Sequence, residues 1–306
     1  MEKIAVITPI SHLNGIVDLL STKGKVLLYE QSTKEQVRKM LLNTEANTIL
    51  CNPNQQTYKI DKELLEGTKV SLINTCSTGM NHIDQSYCKE NNIEVYSLTK
   101  DMELINDLPS TSELAFTLMS CLLRKIPESL EHTKKYGWDY LPYVGRQVKG
   151  LNVGIIGYGR LGKIMDKYCK AFEANTFICD PYSEAHTNSL EELFEICDVI
   201  SIHVHVTEET KYMINKDLLG KSKKIPYIIN TSRGEIVDEK AIVNALEDKI
   251  IAGYGTDVVE DEFGTITNSP IIQGMNRGLN IIVTPHTGGM TIEGQTKAYT
   301  WAINKL

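Results

Sequence analysis

The chain has 306 residues, of which 42% are hydrophobic and 23% are charged, and its formal net charge at pH 7 is -7. This composition is ordinary for a globular protein of two domains or one large domain. The chain is acidic and therefore lacks the positive charge that nucleic-acid binding requires. It also contains no apolar run of about 18 or more residues, so no membrane span is predicted.

The N-terminal part of the chain alternates apolar runs with amphipathic stretches. The runs at 3–8, 25–30, 48–52, 70–76 and 93–98 predict strands because they are rich in apolar and β-branched residues. Between them, SHLNGIVDLLSTKG, TKEQVRKMLLNTEA and DKELLEGT have apolar residues near helical spacing. This alternation is typical of a parallel sheet with helices on its faces.

The second part of the chain repeats this alternation. A mostly apolar helix is predicted from Thr111 to Arg124, and the Gly- and aromatic-rich stretch 134–150 predicts a loop. Strand and helix patterns then resume from Leu151 to Thr284. The sequence therefore predicts an α/β fold with two successive doubly wound parallel-sheet domains.

The cysteines and the N-terminus bear on the cellular compartment. The chain has seven cysteines, an odd number, with no Cys-x-x-Cys pair, and most lie in apolar runs. This pattern argues for reduced, buried thiols rather than a disulfide framework. MEKIAVITPI begins directly as a strand and lacks the regions of a signal peptide. We therefore expect a cytoplasmic protein.

A glycine motif predicts a dinucleotide site. LNVGIIGYGRLGKIMDKYCKAF begins as an apolar strand, turns through Gly157-x-Gly159-x-x-Gly162 and continues as a helix. These glycines permit a tight turn, a close backbone approach to a pyrophosphate, and close helix packing, in that order. The next predicted strand ends in Asp180, whose carboxylate suits ribose hydroxyls and disfavours a 2′-phosphate. We expect NAD rather than NADP, although Asp180 as a simple turn cap is the alternative.

Three chemically capable side chains follow strands in the same half of the chain. Arg233 follows IPYIIN, Glu262 follows IIAGYGTDVV, and His286 follows NIIVTP. Ligands of open α/β sheets bind at the carboxyl ends of strands, so one crevice could receive all three. An arginine can clasp a carboxylate, a histidine can exchange a proton near neutral pH, and a carboxylate can orient the imidazole. This set predicts oxidoreduction at a hydroxyl or carbonyl beside a carboxylate. Alternatively, Arg233 pairs with a surface acid and Glu262 belongs to a solvated face.

Four ordered motifs, GIIGYGRLGK, INTSRGEIVDEKAI, GTDVVEDE and TPHTGG, resemble the D-isomer-specific 2-hydroxyacid dehydrogenase family, including its phosphoglycerate dehydrogenase-like members. The resemblance covers nearly the whole chain. It implies a Rossmann NAD-binding domain at 99–287 and a flavodoxin-like substrate or catalytic domain made of 1–98 and 288–306. The final segment, TIEGQTKAYTWAINKL, would be a helix that returns to the substrate domain, and a homodimer is expected.

The resemblance also implies roles for individual residues. Arg233 would bind the substrate carboxylate, His286 would move the proton, and Glu262 would be the partner of His286. The implied substrate-binding set is Ser77, Thr78, Gly79, Arg233 and His286, with the first three offering backbone N–H groups from CSTGMNHID. The implied cofactor-binding set is Gly157, Gly159, Arg160, Leu161, Gly162, Asp180, Thr207, Thr231, Asp257 and Gly288. In that set Asp257 would contact the nicotinamide carboxamide.

The sequence thus predicts an NAD-dependent oxidoreductase that interconverts a 2-oxo acid and a D-2-hydroxy acid, with 3-phosphoglycerate among the candidate substrates. Two alternatives stay open: a non-catalytic NAD(H)-binding corepressor or scaffold, and a formate or phosphite dehydrogenase. No metal is predicted, because His203-x-His205 offers two imidazoles on one strand face but no further ligand is at hand. His205 and Phe263 stand where the family usually has proline, which leaves the subfamily open.

Overall fold

The structure is a computed structural model that describes residues 2–53, 58–262 and 264–306. The chain divides into two compact units, Met1–Leu108 with Gly289–Leu306, and Pro109–Gly288. Each unit contains one parallel sheet covered by helices. The predicted α/β class with two doubly wound domains is confirmed.

The described part of the chain forms the following regular elements. The strands are Lys3–Val6 (β1), Lys25–Leu28 (β2), Thr48–Cys51 (β3), Leu72–Thr75 (β4), Glu94–Ser97 (β5), Asn152–Ile156 (β6), Asn175–Cys179 (β7), Val199–Ile202 (β8), Tyr227–Asn230 (β9), Gly253–Thr256 (β10) and Ile281–Val283 (β11). The helices are Ile16–Ser21 (α1), Lys34–Thr44 (α2), Lys62–Leu65 (α3), Gln85–Glu90 (α4), Met102–Asn106 (α5), Ser110–Leu123 (α6), Ile126–Lys134 (α7), Arg160–Ala171 (α8), Leu190–Ile196 (α9), Lys216–Leu219 (α10), Glu239–Glu247 (α11), Pro270–Asn276 (α12) and Ile292–Asn304 (α13). None of the helices in the described ranges is long and apolar enough to cross a bilayer.

The first unit has the flavodoxin-like strand order. Its five strands pair in the order β2-β1-β3-β4-β5, all parallel. The chain returns to this unit at α13, where Tyr299 Oη lies 2.9 Å from Thr8 Oγ1 and Trp301 Nε1 donates to Asp101 at 2.8 Å. The C-terminal helix therefore packs within the first unit.

The second unit carries the longer sheet. Its six parallel strands pair in the order β7-β6-β8-β9-β10-β11, so the order reverses at β6. Helix α6 packs against β9, β10 and α8. Its side chains Leu118, Met119 and Leu122 are almost fully buried there, together with Val153 and Ile229 of the sheet. The carboxyl ends of β6, β8, β9, β10 and β11 thus lie along one edge of the same sheet.

Local polar caps decide where several helices begin. Thr33 and Ser189 form capping boxes with Gln36 and Glu192 at the starts of α2 and α9. Asp84 caps α4, a helix that the strand and helix patterns do not predict. The stretch 134–150, predicted as a loop, contains a short 3₁₀ turn at Leu141–Tyr143.

Candidate active site

The glycine motif forms a tight turn between β6 and α8. Gly157 has a φ of +86°, and a Cβ there would lie 2.6 Å from the carbonyl oxygen of His203. A Cβ on Gly162 would lie 2.0 Å from the carbonyl oxygen of Gly157, so the helix packs directly on the turn. A Cβ on Gly159 would meet nothing within 4 Å. The open space beside Gly159 therefore suits a ligand that approaches the backbone closely.

The N-terminus of α8 is not capped by a side chain. Gly159 occupies its N-cap position and has no side chain to accept from the first N–H groups, whereas Asp238 caps α11. Helix N-termini of this kind favour anions through their N–H groups and the helix dipole. Arg160 and Leu161 open the helix, and the Leu161 carbonyl accepts a 2.9 Å hydrogen bond from Ser112 Oγ on α6. The arrangement fits a pyrophosphate.

Asp180 links the end of β7 to the glycine turn. Its Oδ2 accepts from the Tyr158 backbone N–H at 2.7 Å, and its Oδ1 accepts from the Tyr182 N–H at 3.0 Å. Asp180 therefore does cap the turn that follows it. Each carboxylate oxygen has a second lone pair, so ribose hydroxyls can still donate to this side chain.

Two threonines of the predicted cofactor set differ in their surroundings. Thr231 is 6% exposed, and its buried Oγ1 has no hydrogen-bond partner among the described residues. Buried hydroxyls are rarely left unsatisfied, so this group fits a site that a ligand or water completes. Thr207 lies in an exposed turn, where its N–H donates to Thr210 Oγ1 at 2.8 Å.

The structure brings His286 and Glu262 together. His286 Nδ1 lies 2.6 Å from Glu262 Oε2, and the two side chains are 25% and 17% exposed. A carboxylate at this nitrogen fixes the tautomer and orientation of the ring. Nε2 is then the nitrogen that faces away from the carboxylate and can exchange a proton with a ligand.

The turn that carries His286 is held by Asp257. His286 has a φ of +53°, a conformation that non-glycine residues rarely adopt, and its N–H donates to the Asp257 carbonyl at 2.9 Å. The Asp257 carboxylate accepts from the Thr287 and Gly288 N–H groups at 2.8 and 2.7 Å, and from the Thr284 hydroxyl. Asp257 is 2% exposed. It therefore fixes the backbone on both sides of His286, a role that sequence patterns do not reveal.

Arg233 follows β9 in a turn organised by Asn230. The fully buried Asn230 amide donates to the Arg233 carbonyl at 2.9 Å, and its Oδ1 accepts from the Ser232 N–H at 3.0 Å. Arg233 Nη1 donates to the Ser232 carbonyl at 2.6 Å. Because β9, β10 and β11 are neighbours, Arg233 and the Glu262–His286 pair follow adjacent strands at one edge of the sheet.

The predicted substrate loop lies after β4 in the first unit. The backbone N–H groups of Ser77, Thr78 and Gly79 donate to no acceptor among the described residues, and Ser77 Oγ donates to the Gly79 carbonyl at 2.8 Å. Thr75 Oγ1 lies 2.8 Å from Ser77 Oγ and 3.1 Å from His82 Nε2. His82 is 1% exposed, and burial lowers its pKa to about 4. Thr75 and His82 support this loop, although the sequence alone did not indicate them.

His203 and His205, the two histidines of the His-x-His sequence, are not part of a metal-binding cluster among the described residues. The His203 Nε2 atom lies 2.8 Å from Ser201 Oγ, whereas His205 is exposed. Across the described ranges, no group of three or more His, Cys, Asp or Glu side chains is placed to hold a metal ion. Phe263, the second departure from the family pattern, lies outside the described residues.

Comparisons with known proteins cover both units. Residues 4–102 match the catalytic domain of D-isomer specific 2-hydroxyacid dehydrogenases, and residues 116–288 match the NAD binding domain of the same enzymes. A putative 2-hydroxyacid dehydrogenase of Staphylococcus saprophyticus is 31% identical over 96% of this chain and 92% of its own length.

Two further proteins are similar over most of the chain. The D-3-phosphoglycerate dehydrogenase of Bacillus subtilis is 28% identical over 92% of this chain, which spans only 53% of that relative's length. The crystal structure of D-lactate dehydrogenase from Aquifex aeolicus, complexed with NAD and lactic acid, has a TM-score of 0.79 and 26% identity. That similarity covers 99% of this chain and 94% of the other.

Proposed function

The chain belongs to the D-isomer specific 2-hydroxyacid dehydrogenase family, and we propose that it interconverts a small 2-oxo acid and the matching D-2-hydroxy acid with Arg233, Glu262 and His286. The family, the enzyme class acting on CH–OH donors and the NAD cofactor agree with the sequence prediction. The observation that carries the residue roles is the 2.6 Å contact between His286 Nδ1 and Glu262 Oε2.

Each residue performs a distinct step in this proposal. Bound NADH supplies the hydride that reaches the carbonyl carbon of the 2-oxo acid. His286 donates a proton from Nε2 to the carbonyl oxygen as negative charge develops there, and it accepts that proton in the reverse direction. Glu262 stabilises the imidazolium and keeps Nδ1 protonated. Arg233 binds the substrate carboxylate through its guanidinium and orients the neighbouring carbonyl.

The cofactor and substrate residues complete the proposal. We assign the pyrophosphate to the turn at Gly157, Gly159 and Gly162, and the adenosine ribose to Asp180, because their geometry fits these groups. The second unit would thus hold NAD. The loop of Ser77, Thr78 and Gly79 in the first unit would offer N–H groups to the substrate carboxylate.

A substrate panel tests the proposed function. Purified protein is mixed with NADH or NADPH and a series of 2-oxo acids, including glyoxylate, pyruvate and phosphohydroxypyruvate, and the nicotinamide absorbance is followed. We expect turnover of at least one 2-oxo acid with NADH, faster than with NADPH. Cofactor binding without turnover of any acid would instead support a non-catalytic NAD(H)-binding protein, and turnover of formate or phosphite alone would support the other alternative.

We also propose that the protein is a homodimer joined through the segment after α7. Five apolar or aromatic side chains are exposed there: Tyr136 at 99%, Trp138 at 93%, Tyr140 at 75%, Leu141 at 66% and Val144 at 61%. Aromatic residues are enriched in the cores of interfaces, and so many large apolar side chains exposed within one short segment favour an interaction surface. Light scattering after gel filtration should give a dimer mass that Trp138→Asp reduces to a monomer. Tyr182→Asp, at an equally exposed tyrosine elsewhere, should leave the mass unchanged.

The cysteines support a reducing compartment such as the cytoplasm. All seven are free thiols, and six of them are buried. Burial raises the pKa of Cys51, Cys169 and Cys197 to about 12, which leaves these thiols protonated and unreactive at neutral pH. Such thiols are typical of proteins that never encounter disulfide-forming conditions.

A further inference from the structure

We propose that Glu239 is a positioning residue that holds Glu262 against His286. This inference rests on the proposed function and deepens it. Glu239 is the first residue of α11, yet it is only 4% exposed, which is unusual for a glutamate that has no ionic partner among the described residues. Its carboxyl group therefore needs hydrogen-bond partners, and it finds them in the segment that carries Glu262.

Both carboxyl oxygens of Glu239 contact that segment. Oε1 accepts from the Glu260 backbone N–H at 2.9 Å, and Oε2 accepts from the Ser269 hydroxyl at 2.8 Å. Glu260 stands two residues before Glu262, and Ser269 is the N-cap of α12, where the segment ends. The buried Glu239 side chain thus holds the segment that connects β10 to α12 near both of its ends.

A second contact joins the same segment to the turn of Arg233. A Cβ on Gly234 would lie 2.0 Å from the Val259 carbonyl carbon and 2.2 Å from the Glu260 nitrogen. The turn after Arg233 therefore packs directly on the Val259–Glu260 peptide, and no larger residue fits there. Glu239 and Gly234 together fix the backbone from which the Glu262 side chain reaches His286.

The hydrogen bonds of Glu239 also explain why removal of its carboxyl group should disturb only the segment that carries Glu262. The hydrogen bonds of Glu239 reach neither a predicted cofactor residue nor the substrate loop, and they connect to Glu262 only through the backbone that begins at Glu260. Loss of its carboxyl group should loosen Glu262 and lower the rate of proton transfer. The affinity for NADH depends on the glycine turn and should stay the same.

The first test compares Glu239→Leu with Glu239→Gln. A glutamine keeps both contacts, since its oxygen accepts from the Glu260 N–H and its amide donates to the Ser269 hydroxyl. We expect Glu239→Leu to lower kcat roughly 10- to 100-fold with an unchanged Kd for NADH. Glu239→Gln should restore most of that loss. Equal loss of kcat in the two variants would overturn the proposal.

A double-mutant cycle separates positioning from general destabilisation. If Glu239 acts through Glu262, Glu239→Leu should cost almost nothing more in a Glu262→Gln background. A second full decrease in kcat would contradict the inference.

Ser269→Ala keeps the test available if Glu239→Leu fails to fold, because it removes one contact of Glu239 and leaves the other. Its matched control is Ser189→Ala, since each serine caps a seven-residue helix of the second unit, α12 and α9 respectively. Both substitutions should lower stability similarly, because each removes an N-cap. Only Ser269→Ala should lower kcat; equal kcat in the two variants would overturn the proposal.

Hydrogen exchange distinguishes this inference from the proposed function. We expect faster amide exchange at 259–269 in Glu239→Leu than in Glu239→Gln, with unchanged exchange in β6 and α8. That result would support the positioning role even if no 2-oxo acid were turned over, an outcome that would refute only the proposed function. Exchange in this segment that is the same in both variants would refute the positioning role.

Discussion

His286 and His203 both follow strands of the second sheet, and their surroundings could hardly differ more. The His286 side chain is 25% exposed, and its Nδ1 lies 2.6 Å from a carboxylate oxygen of Glu262. The His203 ring lies 2.8 Å from the Ser201 hydroxyl, and its buried Nδ1 has no partner among the described residues. Burial lowers the pKa of His203 to about 4.

The difference teaches that a position at a strand end does not by itself make a proton carrier. At neutral pH His203 is uncharged, so it has no imidazolium proton to give. His82 of the first unit repeats this arrangement with the Thr75 hydroxyl and a pKa of about 4. His286 differs from both because a carboxylate oxygen lies beside its Nδ1, which fixes the ring and leaves Nε2 to exchange a proton. Substitutions at these histidines and at their partners test whether this difference between them holds.

The largest expected effect is that of His286→Gln. Removal of the proposed proton carrier should lower kcat by about 10²- to 10⁴-fold, while the Kd for NADH stays near the wild-type value. Steady-state kinetics and fluorescence titration with NADH measure the two quantities. His203→Gln is the matched control, and it should retain most of kcat because a histidine with a pKa of about 4 holds no imidazolium proton to donate at neutral pH. If kcat fell equally in the two variants, His286 would not have a role in catalysis that His203 lacks.

Glu262→Gln should have the next largest effect. The amide keeps nearly the same shape but removes the negative charge that stabilises the imidazolium, so kcat should fall roughly 10- to 100-fold. Asp261→Asn makes the same change of charge at the exposed neighbour and should leave kcat near wild type. If both variants lost activity equally, the acidic run rather than the contact with His286 would be responsible.

Much of this site follows from local sequence. The glycine turn at 157–162 is visible because its strand, turn and helix are contiguous. Arg233 and His286 are visible because parallel strands align their carboxyl ends, and the family resemblance then identifies Glu262 within its acidic run.

What the sequence could not supply are contacts between distant segments. Glu239 reaches Ser269, thirty residues away, and Thr75 reaches His82 across a turn. Asp257 holds the turn at His286 because its buried carboxylate accepts from the Thr287 and Gly288 N–H groups, and the sequence does not show which way that carboxylate points. No periodicity encodes such hydrogen bonds, because they are decided by how the elements pack.

The low pKa values of His203 and His82 should make the folded state sensitive to acid. The pKa of His203 is about 4 in the folded chain, against an ordinary value of 6.5, so the unfolded chain binds more protons between these pH values. Stability is therefore complete above the ordinary pKa and falls as the pH drops towards 4, by up to about 3 kcal/mol. We expect His203→Gln to reduce this loss of unfolding free energy, as measured by urea unfolding at pH 7, 6, 5 and 4. His205→Gln, at an exposed histidine, should leave the loss unchanged.

The smallest effect tests the hydroxyl-bonded histidine of the first unit. Thr75→Val keeps the shape of the side chain but removes the hydroxyl that lies between His82 and Ser77. The loss of a hydrogen bond worth about 1 kcal/mol should raise KM for the 2-oxo acid about fivefold, because the loop at Ser77 and Gly79 becomes less ordered. KM for NADH should not change, and Thr75→Ser should recover most of the loss. An increase in both KM values would mean that Thr75 supports the whole fold. The loop would then have no separate part in substrate binding.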